Sequence, residues 1–403
     1  MSGRASVLGV LRARSFALVW LSGVVSGFGD KITLIALAYV TWTLTQSALF
    51  TSLSVVIATV PNAIFGFLAG ALADALGRRR AMVACDLLRV LLIGAIPAAF
   101  AVDLPLAVVY LLVLLASVCG AVFKPARLSI LPDVLGEGDL GAGNALVISS
   151  DRAVEIVGAL IAGLLVAAIG VAAFYVDALT FLVSAALLSR IDLREKAPSG
   201  ISPARVLRDA ALGVRAIRDS RVLRANTIFS LVAQLAIPVL NALAPVLVFR
   251  AFGGGAEEFA AVEAAIAAGA VVTGAAMPAL LKRAPKGRLL VAGFGANGVV
   301  LLLLAVAPSF EALLALFVLV GVTNVLFLVP NVTIAQEVTP APFRARVFGA
   351  RIALLNLTWL PVIVVTGALA DVLGPAMLIG FAGALTLATA AVGSLLPSIR
   401  DVA

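Results

Sequence analysis

Apolar runs of 18 residues or more recur along this chain from end to end, and that recurrence limits its fold more than any other feature. Each run is long enough to cross a bilayer. Lipid offers no partner for an open backbone N–H or C=O, so each run must close its hydrogen bonds internally, as a helix. Twelve spans are predicted, at roughly 16–44, 47–75, 80–101, 105–131, 141–168 and 171–190, then 222–249, 256–281, 288–307, 310–336, 344–370 and 374–397. Only 12% of the 403 residues are charged, half of the ~25% usual in a soluble domain. No stretch has the composition of a separate water-soluble domain. Arg4, Arg12 and Arg14 precede the first span with no small-residue cleavage site, so no signal peptide is read. Cys85 and Cys119 fall inside apolar runs and read as packing residues.

The net charge of +8 lies between the apolar runs rather than on a basic surface with aromatics, so a nucleic-acid partner is not expected. Alternate loops hold nearly all of it. Arg4, Arg12 and Arg14, Arg78 to Arg80, the arginines of 190–224, Lys282 to Arg288, Arg344, Arg346 and Arg400 fall on one side, whereas the opposite loops hold only Arg250. Positive charge resists translocation, which places both termini of this multi-pass protein in the cytoplasm. An even number of spans agrees.

The long connection 191–221 separates a six-span half at 1–190 from another at 222–403. In it Leu207, Ala211, Val214 and Ile217 share one helical face, while Arg208, Arg215 and Asp219 share another. That pattern fits a helix lying on anionic lipid; a plain linker is the alternative. An offset of 204 residues superposes Leu8-Gly9-Val10 on Leu212-Gly213-Val214, Arg14 on Arg218, Gly70 on Gly274, Gly94 on Gly298, Phe123 on Phe327, Gly163 on Gly367 and Gly170 on Gly374. Six spans per half give the two repeats the same orientation. The expected fold is an all-α membrane protein of twelve transmembrane helices in two parallel six-helix repeats, the arrangement that places a substrate site near the midplane.

The stretch Gly70-Ala71-Leu72-Ala73-Asp74-Ala75-Leu76-Gly77-Arg78-Arg79 resembles the signature between the second and third helices of the major facilitator superfamily. Phe123-Lys124-Pro125-Ala126-Arg127, Leu131-Pro132-Asp133 and Asn144-Ala145-Leu146 resemble its bacterial macrolide-efflux and enterobactin-exporter branch, among the drug:proton antiporters. The resemblance covers the whole chain. It implies a secondary exporter of the bacterial cytoplasmic membrane working by alternating access, and a gating role for Gly70, Asp74, Gly77, Arg78 and Arg79. Asp86 and Arg89, i,i+3 near the cytoplasmic side of the third span, read as a local pair supporting the Asp74 network. The residues allow a plainer reading too: a basic turn that sets topology, with Gly77 permitting the turn.

Ionisable groups inside spans are functional candidates by default. The chain has no histidine, so proton chemistry falls to carboxylates. Asp30 and Lys31 lie midway along the first span, with Gly27 and Gly29 opening space beside the carboxylate. Asp30 reads either as a proton carrier or as half of an interhelical ion pair. Asp151, Arg152 and Glu155 share the fifth span; Arg152 and Glu155 sit i,i+3, so one carboxylate is expected to pair and the other to be left for proton coupling. Asp177 is a further carboxylate near the outer end of the sixth span. Lys124 and Arg127 are expected to reach the headgroups. Arg351 in the eleventh span is expected to meet the gating stretch.

No Gly-x-x-x-x-Gly-Lys-Ser/Thr loop and no metal-ligand pattern occurs, so neither ATP drive, a cofactor nor a metal is expected. The chain reads as a transporter and not an enzyme. It is expected to export small amphipathic organic molecules (drug, antibiotic or siderophore-like) by proton antiport, as a monomer whose partners are its substrate, protons and membrane lipids. A lipid or lysolipid translocator of the same fold and a non-transporting sensor or scaffold are the competing readings.

Overall fold

The computed structural model describes residues 9–59, 61, 76–135, 139–191, 212, 214–339 and 344–396. No strand occurs among them. The helices are α1 (Arg14–Thr45), α2 (Ala48–Thr59), α3 (Arg78–Ala101) and α4 (Leu106–Ser129). Next comes α5, which runs through Leu140–Ala153, Val154–Gly158 and Ala159–Ile169, followed by α6 (Ala173–Ser189). The chain continues with α7 (Arg221–Ala251), α8 (Ala256–Arg283), α9 (Lys286–Leu304), α10 (Phe310–Val338), α11 (Arg344–Leu373) and α12 (Pro375–Ser394). Among the described residues nine helical stretches are long and apolar enough to cross a bilayer, and one of these, Leu140–Ser189, carries both α5 and α6. Ala48–Thr59 and Pro361–Leu373 are shorter apolar helices. Of the stretch 191–221, Leu207, Arg208 and Ala211 lie outside the described residues, as do Gly70 and Asp74.

The outward faces are apolar. Leu91 and Phe381 are each 70% exposed, and Leu164, Leu179 and Val272 are exposed beside many similar residues. In water such a surface would aggregate; in lipid it is the solvated face.

The contacts divide the chain into two compact units, Met1–Leu44 with Ser54–Ile201, and Thr45–Leu53 with Ser202–Ala403. In the first unit α3 packs on α6 and α4; in the second, α9 packs on α12 and α10. These are the same pairings displaced by six helices, so the repeat in the sequence is a repeat in packing. Its glycines match in position, and at the turns in backbone conformation too. Gly170 and Gly374 stand at equivalent turns with φ of +55° and +82°, a region that side chains disfavour. Gly94 and Gly298 sit in equivalent helix interfaces. A Cβ at Gly298 would lie 2.7 Å from the Leu387 nitrogen and 2.9 Å from the Gly383 oxygen of α12, whereas one at Gly94 would meet only the Ala178 Cβ at 3.5 Å. Membrane helices use small residues for such approaches.

In the second unit Phe229, Phe294 and Phe327 pack in sequence, the first pair tilted and the second edge-to-face, with centroids 5.4 and 5.3 Å apart. The start of α2 is held there by Asp371 at the end of α11. Asp371 accepts from the Ser47 hydroxyl at 2.8 Å and from the backbone N–H groups of Ala48 at 2.7 Å and Leu49 at 3.2 Å. It does the work of an N-cap from a distant part of the chain.

Candidate functional site

The first unit gathers charge where four helices meet. Its centre is Arg89, one turn along α3 from Asp86. The Arg89 guanidinium ion-pairs with Asp30 of α1, donates through Nη1 to Ser26 Oγ at 3.1 Å, and stands 3.6 Å from Asp86 Oδ1. It lies over the Phe181 ring of α6, 3.7 Å from the centroid, which favours a cation at that face. Lys124 of α4 reaches Asp30 from the other side, Nζ to Oδ2 at 3.6 Å.

The carboxylates differ in their surroundings. Asp30 is about one-third exposed and has two cations. Asp86 is fully buried; neither of its oxygens accepts a hydrogen bond from the described residues, and the nearby cation is the same Arg89. Asp177 is also fully buried and is served by hydroxyls: Thr33 Oγ1 donates to Oδ2, and Thr180 Oγ1 stands 3.4 Å from Oδ1. Gly29 makes this possible, because a Cβ there would run into Asp177 and Thr180. A cavity of about 210 Å³ opens onto the cluster, lined by Asp30, Lys31, Thr33, Arg89, Ser117 and Lys124 among aliphatic residues and Phe181. Arg89 thus ion-pairs with the accessible acid through Nη2 while its Nη1 stands 3.6 Å from the sealed one, and the accessible acid faces the cavity.

The other expected residues lie elsewhere. Arg127 of α4 pairs with Asp151 of α5 at 2.5 Å, packed directly against Gly23 of α1. Arg152 and Glu155 pair with each other at 2.6 Å, both partly exposed. Gly77 has φ +86° and starts α3, which sends Arg78 to the Ser129 carbonyl at 2.5 Å and Asp133 at 3.0 Å, and Arg79 to the Ser189 carbonyl at 3.2 Å. These arginines therefore bind the carbonyl ends of α4 and α6, the negative ends of helix dipoles. Arg351 is buried in the second unit and bonds to Ser230 and Asn331. Among the described residues no group of three or more His, Cys, Asp or Glu side chains could hold a metal ion.

Three members of the cluster escaped sequence reasoning. Lys124 was expected at the headgroups and faces Asp30 instead. Asp177 ranked as a peripheral acid, and Phe181 was not singled out. A signal existed: Asp177, Phe181 and Ser184 fall on one face of α6, at positions i, i+4 and i+7, and all are buried.

The arrangement of helices is that of solved transporters. The nucleoside transporter NupG superposes with a TM-score of 0.80 over 94% of this chain and 99% of that one, at 11% identity. The POT family transporter PepTSo superposes with a TM-score of 0.74 over 95% and 97%, at 14% identity. Identities this low speak for fold alone. Among curated proteins, the multidrug efflux pump Tap of Mycolicibacterium fortuitum is 32% identical over 245 residues, a match that spans 57% of this chain and 58% of that pump. The sequence profile of the Major Facilitator Superfamily matches residues 19–350, from α1 into α11, and the chain belongs to that superfamily.

Proposed function

We propose that this transporter exports small amphipathic organic molecules across a bacterial cytoplasmic membrane by proton antiport, as a monomer with both termini in the cytoplasm. The observation that carries the reading is Arg89 shared between Asp30, which faces the cavity, and Asp86, which is sealed. A proton on Asp30 removes the charge that holds Arg89 and Lys124. Arg89 is then free to move its bond to Asp86, 3.6 Å away. Loss of that proton draws it back. Proton occupancy thereby selects between two arrangements of α1 against α3, as coupling by alternating access requires. The similarity to a multidrug efflux pump supports export and the substrate class.

In the same reading the halves 1–190 and 222–403 alternate, and the stretch Gly70–Arg80 gates them. The positive φ of Gly77 and the hold of Arg78 and Arg79 on two helix ends support a stiff element there. The proton is assigned to Asp30 in preference to Asp151 and Glu155, because these two acids have arginine partners outside the cavity.

Everted vesicles with an imposed pH gradient and a panel of lipophilic compounds test the reading. Addition of a substrate to wild type should collapse part of the gradient, and Asp30→Asn should bind the same compound without moving protons. Proton movement by Asp30→Asn equal to wild type would sink the assignment.

A further inference from the structure

Three arginines are buried among the described residues: Arg89, Arg127 and Arg351. Two of them have acids. Arg89 has Asp30 and Asp86, and Arg127 has Asp151. Arg351, on α11 and only 4% exposed, has no carboxylate of the described residues within ion-pair distance. Its Nη2 donates to Ser230 Oγ at 2.5 Å and to Asn331 Oδ1. Those acceptors belong to a tight neutral network joining α7 to α10. Ser230 Oγ lies 3.0 Å from Asn331 Oδ1 and donates to the Asn226 carbonyl at 3.1 Å, and the amides of Asn226 and Asn331 each donate to the other's backbone carbonyl at 3.2 and 3.4 Å. The guanidinium Nε–H has no acceptor among the described residues.

A guanidinium has five N–H donors and keeps its charge at any accessible pH. Neutral oxygens can accept two or three of those bonds, but they carry no net charge. A buried charge without a counter-charge costs several kcal/mol, and proteins supply an ion to relieve it. No described side chain supplies one here, and Nε–H stands unused beside the occupied Nη2. That unused donor is one of the charge-assisted N–H groups through which a guanidinium takes a small anion.

We propose that Arg351 is an anion-binding site in the second unit, taking one small monovalent anion, a chloride ion or a carboxylate of acetate size, at its unused Nε–H. The bound ion neutralises the guanidinium and clamps α11 to the Asn226–Ser230–Asn331 network. This site is independent of the proton-exchange reading, since it shares no residue with the Asp30 cluster.

The test uses the full chain purified in detergent, with thermal unfolding followed as chloride replaces gluconate at constant ionic strength. The unfolding midpoint should rise saturably with chloride, and Arg351→Gln should abolish the rise. Acetate in place of chloride distinguishes the two sources of the charge: a larger rise with acetate identifies a carboxylate site, a larger rise with chloride a halide site. Ser230→Asp keeps the test sound if Arg351→Gln fails to fold. It places a permanent carboxylate beside the guanidinium and should match the chloride-loaded wild type in gluconate, with no further response to chloride. A wild-type midpoint indifferent to both anions, or a chloride response unchanged in Ser230→Asp, would overturn the proposal.

Discussion

Arg89 on α3 is ion-paired with Asp30 on α1, 59 positions earlier in the chain, while its nearest acid in sequence, Asp86, stands 3.6 Å away without a hydrogen bond. One guanidinium serving two acids makes their removal unequal. Arg89→Gln strands fully buried Asp86 and should cost about 3–5 kcal/mol of stability. Asp86→Asn removes a charge that has no hydrogen-bond donor, so it should leave stability unchanged or raise it, while removing the second acid of the proposed exchange. Thermal unfolding of the two variants in detergent, set beside proton-coupled uptake in vesicles, separates these outcomes. Equal destabilisation by both would show that Asp86 is an essential half of the pair at rest.

The repeated glycines Gly94 and Gly298 make a matched comparison. A methyl at Gly298 meets the backbone of α12 at 2.7 Å, and backbone cannot step aside. Gly298→Ala should therefore cost about 1–3 kcal/mol, the usual penalty of overpacking. At Gly94 the methyl meets Ala178 at ordinary contact distance. Gly94→Ala should be neutral or mildly stabilising, because alanine is the better helix former by up to about 1 kcal/mol. Midpoints that fall together would mean that α3 and α6 are packed as closely as α9 and α12.

Asp371 gives a local prediction. It accepts three bonds at the start of α2, two of them from backbone N–H groups that a helix leaves unpaired. Asp371→Ala should loosen that helix start by about 1 kcal/mol, with up to about 2 for a cap as complete as this one. Hydrogen exchange should speed up at Ala48 and Leu49 and remain unchanged in α9. Unchanged exchange at Ala48 would show that packing, and not the carboxylate, holds the helix start.

What the sequence made legible follows the range of the physics. Apolar length and loop charge are local signals, and they yielded the helical class; the superfamily came from the resemblance of Gly70–Arg79 and Phe123–Arg127 to its signatures. The repeat was legible because Gly170 and Gly374 answer to the same backbone demand, a positive φ, in both halves. Asp30 stood out because a carboxylate amid an apolar run is costly to keep there unless it has a partner or a task. Its partners did not. The i,i+3 spacing of Asp86 and Arg89 suggested a local pair beside the gate, whereas the cation turns across to α1, and nothing in the order of residues encodes that turn. Lys124 and Asp177 were misplaced for the same reason. The direction of a side chain around its helix depends on neighbours such as Gly29, which lets Asp177 in. The contact of Asp371 with Ser47, 324 positions apart, had no sequence signal at all.

Gly77 supports the last prediction. Its backbone, at φ +86° and ψ 127°, lies where any side chain is strained, and it starts α3. The next two residues are Arg78 and Arg79, whose reach to the Ser129 and Ser189 carbonyls depends on the direction in which the chain enters the helix. Gly77→Ala should cost about 1–3 kcal/mol from the backbone alone. Asparagine tolerates the ordinary left-handed helical region, yet Gly77→Asn should fare no better, because a ψ of 127° lies far from it. Gly141→Ala is the control, since a methyl there meets nothing within 4 Å and the residue lies in a regular helix. Transport by both Gly77 variants should fall along with their unfolding midpoints. If Arg78→Ala reproduces the transport loss with little change in midpoint, the glycine acts by aiming the arginine. If only the Gly77 variants lose transport, the turn itself, and not the aim of the arginine, is what transport requires.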